Sequence, residues 1–369
     1  MTKSIVAKDI IRMIEEWAPK ELAYDWDNVG LQIGSLHKKV NNVMVTLDVL
    51  ENVVDEAIEK RIDLIIAHHP LLFNALKQIN IESAKGRTIE KLIKHDITVY
   101  AAHTNLDIAF GGVSDMLAHR LDIKNTKVLV PSGQERLMKL VTYVPEQDLE
   151  QVKKALGDNG AGYIGNYSHC TFTQKGTGSF VPKEGTNPYI GTLGEEEKVK
   201  EVKLETIIPS SKKDFFIKVL LAAHPYEEPA YDLIALDNPG EIIGIGRIGC
   251  LNQPMEMSDF CKLIKEKLKV SGLRVVGNVD KKVEKVAVLG GSGEDFISHA
   301  KRKGADVYIT GDLTFHEAQE AWEMGLTVID PGHHVEKVMI ESVITYLEEK
   351  KLPIKLIASE SNTEPFKFI

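Results

Sequence analysis

The outer thirds of the sequence repeat one pattern, in which a short apolar run is followed by a stretch with helical spacing. The apolar runs are residues 42–47, 63–67 and 97–102 in the first third and 285–289, 306–310 and 326–329 in the last. Short apolar runs separated by helices are typical of strands buried on both faces of a parallel or mixed sheet. The pattern therefore predicts an α/β fold, a mixed sheet with flanking helices.

The middle of the chain breaks this pattern. Residues 128–243 are polar and rich in glycine, with amphipathic stretches only at 146–156 and 210–222. Strands mixed with two helices over about a hundred residues suit a small α+β domain. We therefore predict an inserted domain at 128–243, flanked by the two halves of one split domain at 1–127 and 244–369.

Charge and composition exclude several classes of function. A formal charge of -9 without a basic cluster argues against a nucleic-acid partner. Residues 1–17 have the pattern of an amphipathic helix rather than a signal peptide, and no apolar run has the roughly 20 residues that span a bilayer. Three scattered cysteines do not indicate a disulfide framework. We expect a cytoplasmic protein with no membrane partner.

Histidines and a carboxylate follow two strands of the first third. His68 and His69 end one apolar run just before Pro70, and His103 ends the next, with Asp107 four residues later. In open α/β sheets, ligands bind beyond the carboxyl ends of the strands. The alternative for each group is structural, namely hydrogen-bonded histidines and a carboxylate at ordinary turns.

A third group follows a strand of the last third. His333 and Glu336 are spaced i and i+3, so they lie on one face of a helix and can share a metal ion. Imidazole and carboxylate ligands suit zinc, manganese or iron better than calcium or magnesium alone. With His103 and His334, the three strand ends offer more ligands than one ion needs, so we predict two divalent ions per chain, zinc first and manganese or iron as alternatives.

Four other segments have open interpretations. The segment 290–295 (GGSGED) favours a tight turn into a helix whose N-terminus accepts an anion, because it lacks the residues of a P-loop. Asp312 would either support the site from behind, contact a substrate or cap a helix. Residues 25–30 favour a structural turn over a lining of the site. Residues 224–229 (HPYEEP) predict a rigid loop for a small-molecule pocket, a subunit contact or packing alone.

These motifs together resemble the Ngg-interacting-factor-three-like family, also called GTP cyclohydrolase I type 2. The segments that carry the resemblance follow its order: DNVGLQIG, AHHP, AAHTNLD, GGSGED, GADVYITGD and DPGHH. The middle is similar to the PII-like or CutA-like insert of longer bacterial members, with AHPYEEPAYD as its marker. The resemblance implies an α+β ferredoxin-like insert.

The resemblance also implies a site and an assembly. A dinuclear metal centre falls on five residues here: His68, His69, Asp107, His333 and Glu336. His103 becomes a further ligand or a candidate proton shuttle, and Asp312 a candidate support behind the ligands. The implied assembly is a homohexameric ring.

The implied activity is hydrolytic opening of the purine ring of GTP, which makes a metal-dependent hydrolase of a nucleotide or related small molecule the leading hypothesis. One alternative is a phosphatase or phosphodiesterase, which needs the same two-ion geometry. The other is a non-catalytic regulator or scaffold that senses a metabolite through the insert.

Overall fold

The computed structural model describes residues 4–367 and residue 369, and it divides into two compact units. The first unit combines the residues up to Ser132 with Ile243–Ile369, and the second is Gly133–Ile242. Sequence composition places these boundaries at residues 128 and 243. The assignment of the outer unit as a metal-binding domain and of the inner unit as a PII-like insert stays a prediction.

The helices and strands follow one another along the chain in three groups. Those that begin before residue 124 are α1 (Ala7–Trp17), β1 (Gly30–Ile33), β2 (Asn42–Thr46), α2 (Glu51–Glu59), β3 (Leu64–Ala67), α3 (Ala84–Lys94), β4 (Thr98–Ala101), α4 (Thr104–Ile108) and α5 (Val113–Arg120). The middle group is β5 (Lys124–Pro145), α6 (Leu149–Asp158), β6 (Thr171–Phe180), β7 (Glu197–Pro209), α7 (Lys213–Ala223) and β8 (Tyr231–Glu256). The last group is α8 (Met257–Leu268), β9 (Arg274–Val276), β10 (Lys282–Ser292), α9 (Ile297–Arg302), β11 (Val307–Gly311), α10 (Phe315–Glu323), β12 (Thr327–Asp330), α11 (Val338–Glu349) and β13 (Lys355–Ala358).

The first unit contains two mixed sheets, where the sequence predicts a single one. One sheet has the order β1-β4-β3-β2-β13, with β1 antiparallel to β4 and the other pairs parallel. In the other, β8-β10-β11-β12-β9, the central strands are parallel and the flanking strands antiparallel. The strands of the first and last thirds therefore pair mostly among themselves, a choice of partner that apolar runs do not encode.

Alternate residues of the central strands enter different cores. Val43, Val45 and Ile66 pack into a core that also contains strand residues of the second sheet, such as Val286. Met44 and Ile65 face the other side, in the core beneath α2 and α3. Because both faces are covered, these strands are continuously apolar rather than alternating.

The second unit is built on an antiparallel arrangement with the strand order β6-β7-β5. Helices α6 and α7 pack against one face through a core that includes Val144, Leu156, Leu204 and Leu220. Since side chains alternate along a strand, the neighbouring positions of β5 and β7 face away from these helices.

The structure corrects the bounds of two predicted helices, the first and the last. The chain enters the predicted last helix through a 3-10 helix, His333–Lys337, before α11. Of the predicted helix at residues 1–17, the structure describes α1, while residues 1–3 lie outside the described residues. The longest helices described, α8 and α11, have 12 residues each, so none in this part of the chain is suited to spanning a membrane.

Candidate metal site

The predicted ligands come together in the first unit, at the carboxyl ends of strands from both of its sheets. His68 and His69 follow β3, whereas His333 follows β12 and is preceded by Gly332, whose φ of +89° makes the turn that most side chains avoid. Asp107 lies on the short helix α4 after β4. Three residues of this cluster are buried, with His68 at 0%, Glu336 at 3% and Asp107 at 9% exposure.

The carboxylate of Glu336 lies at the centre of the cluster. Its Oε2 atom is 3.0 Å from Nε2 of His69 and 3.0 Å from Nε2 of His333. The same oxygen lies 3.7 Å from Nε2 of His68, which is 3.5 Å from Oδ1 of Asp107. Glu336 belongs to two sets of possible ligands, one with His69 and His333 and one with His68 and Asp107. A third set joins His68 and His69 to His103.

Every histidine of the cluster uses its Nδ1 atom to bind an oxygen outside the cluster. These pairs are His68 with the Ala102 carbonyl (2.8 Å), His69 with Asp48 (2.7 Å), His333 with Asp312 (2.7 Å) and His103 with Asp27 (2.9 Å). An acceptor at Nδ1 fixes the ring and its tautomer, and leaves Nε2 as the atom with a lone pair. The four rings are therefore held in the way that metal-binding histidines usually are.

One buried nitrogen of the cluster has no partner among the described residues. Nε2 of His68 makes no hydrogen bond to any described residue, although a buried polar atom normally has one. Nε2 of His69 also lies only 3.2 Å from Nε2 of His333, so two atoms with lone pairs face each other unless a proton or a cation lies between them. Both observations fit residues that hold metal ions through nitrogen and carboxylate oxygen.

Without an ion, protons carry the positive charge of the cluster. Burial disfavours a positive charge on His69, but hydrogen bonds to Asp48 and Glu336 raise the pKa of this ring to about 10. Burial also disfavours a charge on His333, but the hydrogen bond to Glu336 raises the pKa of that ring to about 9. Burial raises the pKa of Asp107, whereas the neighbouring histidines, against the effect of burial, lower that of Glu336. A cation can replace these protons, because it would neutralise the same carboxylates.

The GGSGED segment contains the end of a strand as well as the predicted turn into a helix, and anion binding there stays a prediction. Strand β10 continues through its first three residues, and a 3-10 helix, Glu294–Phe296, then leads into α9. A Cβ atom would lie 3.0 Å from Oε1 of Glu336 at Gly290 and 2.6 Å from it at Gly291, which also has a φ of +62°. The two glycines therefore make room for the carboxylate of Glu336.

Aromatic side chains surround one side of the cluster. The ring of Trp26, which is 60% exposed, stacks on Tyr24 at 5.6 Å between centroids and lies 5.9 Å from Phe73. Phe73 in turn lies 6.2 Å from the ring of His103. We call Tyr24, Trp26 and Phe73 the aromatic rim. It offers planar, partly exposed surfaces beside the candidate metal ligands.

Comparison with known proteins identifies the family. Residues 5–365 match the family described as Duf34/NIF3 (NGG1p interacting factor 3). The chain is 52% identical, over 100% of both chains, to a protein of Bacillus subtilis (strain 168) named GTP cyclohydrolase 1 type 2 homolog. A protein of the same name from Halalkalibacterium halodurans is 50% identical over 98% of both chains. The chain belongs to the DUF34/NIF3 family.

A solved structure supports this placement. The Bacillus cereus protein related to NIF3 is 51% identical to this chain and superposes with a TM-score of 0.85 over 100% of both chains. The mixed α/β architecture described above is therefore that of a NIF3-related protein. The family resemblance predicted from the sequence motifs is confirmed.

In this NIF3 chain, the structure brings together all five predicted ligands: His68, His69, Asp107, His333 and Glu336. His103 lies beside them, within ligand distance of His68 and His69. Asp312 contacts His333 from behind, while His334 faces Glu364 at 3.9 Å instead. The predicted HPYEEP loop lies in the second unit, where both ring nitrogens of His224 bind main-chain atoms.

Sequence analysis missed two residues that orient the NIF3 cluster. Asp48 follows β2 and binds His69, so the same strand-end rule that selects His68 and His103 also selects this carboxylate. Asp27 lies in the segment interpreted as a structural turn. Burial disfavours the charged form of Asp27, but hydrogen bonds from His103 and Thr104 lower its pKa to about 2. The carboxylate therefore stays ionised beside His103.

Proposed function

We propose that this chain is a metal-dependent hydrolase with a dinuclear centre, acting on a nucleotide or a related small molecule. GTP cyclohydrolase activity, taken from the names of the relatives, is the first candidate. The observation that carries the proposal is the central position of Glu336, 3.0 Å from both His69 and His333 and shared with the His68–Asp107 set. A carboxylate between two ligand sets is suited to bridging two cations.

The proposed ligands divide into two sets. His68 and Asp107 would hold one ion and His69 and His333 the other, with Glu336 common to both. Zinc suits these donors first, with manganese or iron as alternatives. When bound, such ions supply Lewis acidity and lower the pKa of a coordinated water toward about 7.

His103 is the proposed carrier of the proton. Its Nδ1 atom binds Asp27, which leaves Nε2 as the atom that can take up or release a proton beside the cluster. Burial lowers the pKa of His103, so the ring is neutral, as a base must be. His103→Ala should slow turnover by at least about 100-fold and leave the ions in place. Measuring the metal content of this variant separates a proton carrier from a ligand. Loss of an ion would instead make His103 a ligand.

The aromatic rim supports a substrate with a planar ring. Bases stack on aromatic side chains, and each such contact contributes about 1–3 kcal/mol. Trp26 is exposed enough for this contact, and its own fluorescence would report it. We therefore expect Trp26→Leu to raise KM about tenfold with kcat little changed, since stacking binds substrate and transition state alike.

The first experiment combines metal content with a substrate screen. Elemental analysis of protein incubated with zinc, manganese or iron should find about two ions per chain, and fewer in Glu336→Gln. The matched control is Glu364→Gln, because Glu364 lies near His334 but outside the ligand sets. GTP and other nucleotides are then tested for release of formate.

The products distinguish the candidate functions. Formate from GTP supports the cyclohydrolase, whereas release of phosphate selects a phosphatase or phosphodiesterase. If the metal-loaded protein converts no nucleotide and His69→Ala changes nothing measurable, the hydrolase proposal is wrong. A non-catalytic regulator or scaffold, which uses the second unit to bind a metabolite, then becomes the better explanation, and a cavity in that unit favours it.

Three further features remain proposals. The second unit has the element order β-α-β-β-α-β and the strand order β6-β7-β5-β8, which supports a ferredoxin-like fold of the PII-like or CutA-like type. The homohexameric ring and the cytoplasmic location rest on the family resemblance and the sequence composition. Sedimentation of the purified full chain would test the ring.

A further inference from the structure

The second unit contains a cavity of about 720 Å³, and the class of ligand that it binds does not follow from the sequence. Tyr226, Glu227 and Glu228 of the HPYEEP loop line this cavity. Its wall is formed by β6, by β7, by Tyr143 of β5 and by two loops, and it includes Phe180, Tyr189, Glu201 and Tyr226. A volume of roughly 300–1,000 Å³ is typical of sites for small molecules. The cavity lies within this one unit and does not involve the candidate metal site.

Two glycines keep the cavity open. Gly176 and Gly178 of β6 pair with Glu201 and Val199 of β7, on the sheet face opposite the helices. A Cβ atom at Gly176 would meet nothing within 4 Å, so a side chain there would project into open space. At Gly178 a Cβ atom would lie 2.1 Å from Oε2 of Glu201, so this glycine makes room for the carboxylate.

The carboxylate of Glu201 is buried in an aromatic setting. Glu201 is only 7% exposed, and its Oε1 atom accepts a hydrogen bond of 2.8 Å from the hydroxyl of Tyr226. The ring of Tyr226 lies 5.9 Å from Phe180 and 6.2 Å from Tyr189, at interplanar angles of 64° and 55°. Rings tilted in this way surround a space instead of stacking on each other, as in sites for organic cations.

The charges of the cavity favour a cationic ligand. Two of the three lysines of its wall are neutralised by carboxylates, Lys175 by Glu146 at 3.2 Å and Lys203 by Glu205 at 2.5 Å. The third, Lys183, shares the wall with three carboxylates, those of Glu201, Glu227 and Glu228. No lysine or arginine forms a salt bridge with Glu201 among the described residues. Burial and the carboxylates of Glu201 and Asp148 raise the pKa of Tyr226.

Asp148 adds an unsatisfied negative group near Tyr226. Its Oδ2 atom is buried and makes no hydrogen bond within the described part of the chain. A buried carboxylate oxygen normally has a partner, and a cation nearby would stabilise it. The negative field around Tyr226 therefore has two sources and no compensating side chain in contact with Glu201.

We propose that this cavity is a binding site for a small organic cation, an amine whose ammonium group binds Glu201 between the rings of Phe180, Tyr189 and Tyr226. The ammonium group donates hydrogen bonds to the carboxylate, and the ring faces attract the charge. The alkyl part of the ligand occupies the apolar remainder of the cavity above Gly176. The site is independent of the proposed hydrolase activity and of the metal ions.

Binding of simple amines to the full chain tests this site. The probes are butylammonium and 1,4-diammoniobutane, with butanol as the neutral control. Calorimetry and ligand-detected NMR measure their binding. We expect a Kd of about 1 mM or tighter for an ammonium probe and at least about tenfold weaker binding of butanol. Equal binding of butanol and butylammonium would show an apolar site and overturn the proposal.

Three variants locate the binding. Glu201→Gln keeps an acceptor for Tyr226 but removes the charge, so the ammonium probe should bind at least about tenfold more weakly. Gly176→Leu should abolish binding by filling the cavity, while Gly133→Leu should leave it unchanged. Gly133 is the matched control, because a Cβ atom there also meets nothing within 4 Å and the residue does not line the cavity.

A fourth substitution guards against misfolding. Tyr189 is 49% exposed, so Tyr189→Leu should preserve the fold, as circular dichroism would verify, and should weaken ammonium binding by about threefold or more. Unchanged binding in both Glu201→Gln and Gly176→Leu, with either ammonium probe, would overturn the proposal. Because none of these variants touches the metal ligands, failure here leaves the hydrolase proposal unaffected.

Discussion

At the scale of single residues, the candidate metal site depends on groups that lie outside the set of candidate ligands. The imidazole of His69 has Asp48 on one side and Glu336 on the other. Asp312 has the same relation to His333. Such partners orient a ligand and make its free nitrogen more basic, so their loss weakens metal binding without removing a ligand.

We expect Asp48→Ala to lower metal affinity by about 10–100-fold, because His69 loses the acceptor that fixes its ring. A competition titration of zinc against a chromophoric chelator measures the change. Asp55→Ala is the matched control, since Asp55 also forms a short contact, with Lys91, but lies outside the cluster. Equal affinities in the two variants would show that Asp48 does not support the site.

A second residue, Arg247, stabilises the first unit from within. Its buried guanidinium donates to both carboxylate oxygens of Asp115, at 2.6 and 2.7 Å, and to the carbonyls of Gly244 and Gly246. Arg247→Met removes this donor, although Oδ2 of Asp115 still accepts a hydrogen bond from the main-chain N–H of Gly111. The substitution should lower the free energy of unfolding by about 3 kcal/mol.

Urea unfolding followed by tryptophan fluorescence measures this loss, because Trp17, Trp26 and Trp322 all lie in the first unit. The control is Arg12→Met on the exposed Arg12–Glu16 pair, for which we expect a change of at most about 1 kcal/mol. A similar small change for Arg247→Met would mean that the buried pair adds nothing to stability.

At the scale of elements, helix α2 anchors the segment that follows β13. The carboxylate of Glu56 accepts hydrogen bonds from the hydroxyls of Ser359 and Ser361 and from the main chain of Glu360. It also pairs with Lys60 at 2.8 Å. Partial burial opposes the effect, but these donors lower the pKa of Glu56 to about 2.

We expect Glu56→Gln to lower the free energy of unfolding by about 2 kcal/mol at pH 7, because bonds to a charged acceptor become bonds to a neutral one. Since the folded-state pKa is below the unfolded value of about 4.3, the contribution is complete above that value and disappears as the pH falls toward about 2. The difference between parent and variant should therefore shrink below about pH 4.3. Glu59→Gln, which removes an exposed carboxylate at the end of the same helix, is the matched control.

Elements of the first unit could be predicted from the sequence more completely than their arrangement. Strands β2, β3 and β4 are continuous apolar runs that end at polar residues, so both their bounds and the strand-end position of His68 follow from the sequence. The division into two sheets depends on which strands pair, which the runs do not encode. The role of Gly290 and Gly291 was missed because it depends on Glu336, which is distant along the chain but adjacent in space.

At the scale of the whole molecule, the second unit is inserted between two neighbouring strands of the first. Near the boundary, the hydroxyl of Ser132 lies 3.5 Å from the carbonyl oxygen of Ile243. Leu129 packs closely against Gly246 on the same pair of strands. The two segments of the first unit therefore meet, at Ser132 and Ile243, as adjacent strands that a short turn could join.

We expect a chain without residues 133–242, closed by an Asn-Gly turn, to fold and to bind the same number of metal ions as the full chain. The reason is that a two-residue turn joins antiparallel neighbours and that all the candidate ligands belong to the first unit. Elemental analysis and the urea midpoint of the shortened chain check this. Aggregation of the shortened chain, or loss of its ions, would show that the first unit requires the second.

The contact of Ser132 with Ile243 also has an evolutionary meaning. A coding segment inserted at a hairpin turn leaves every older strand with its original neighbours, so the host protein can gain such a segment in a single event and later lose it. Selection could then change the ligand preference of the guest through residues such as Glu201 and Tyr189 while the metal ligands of the host stay fixed. Related genes are expected to differ most in length and composition between the codons for Ser132 and Ile243.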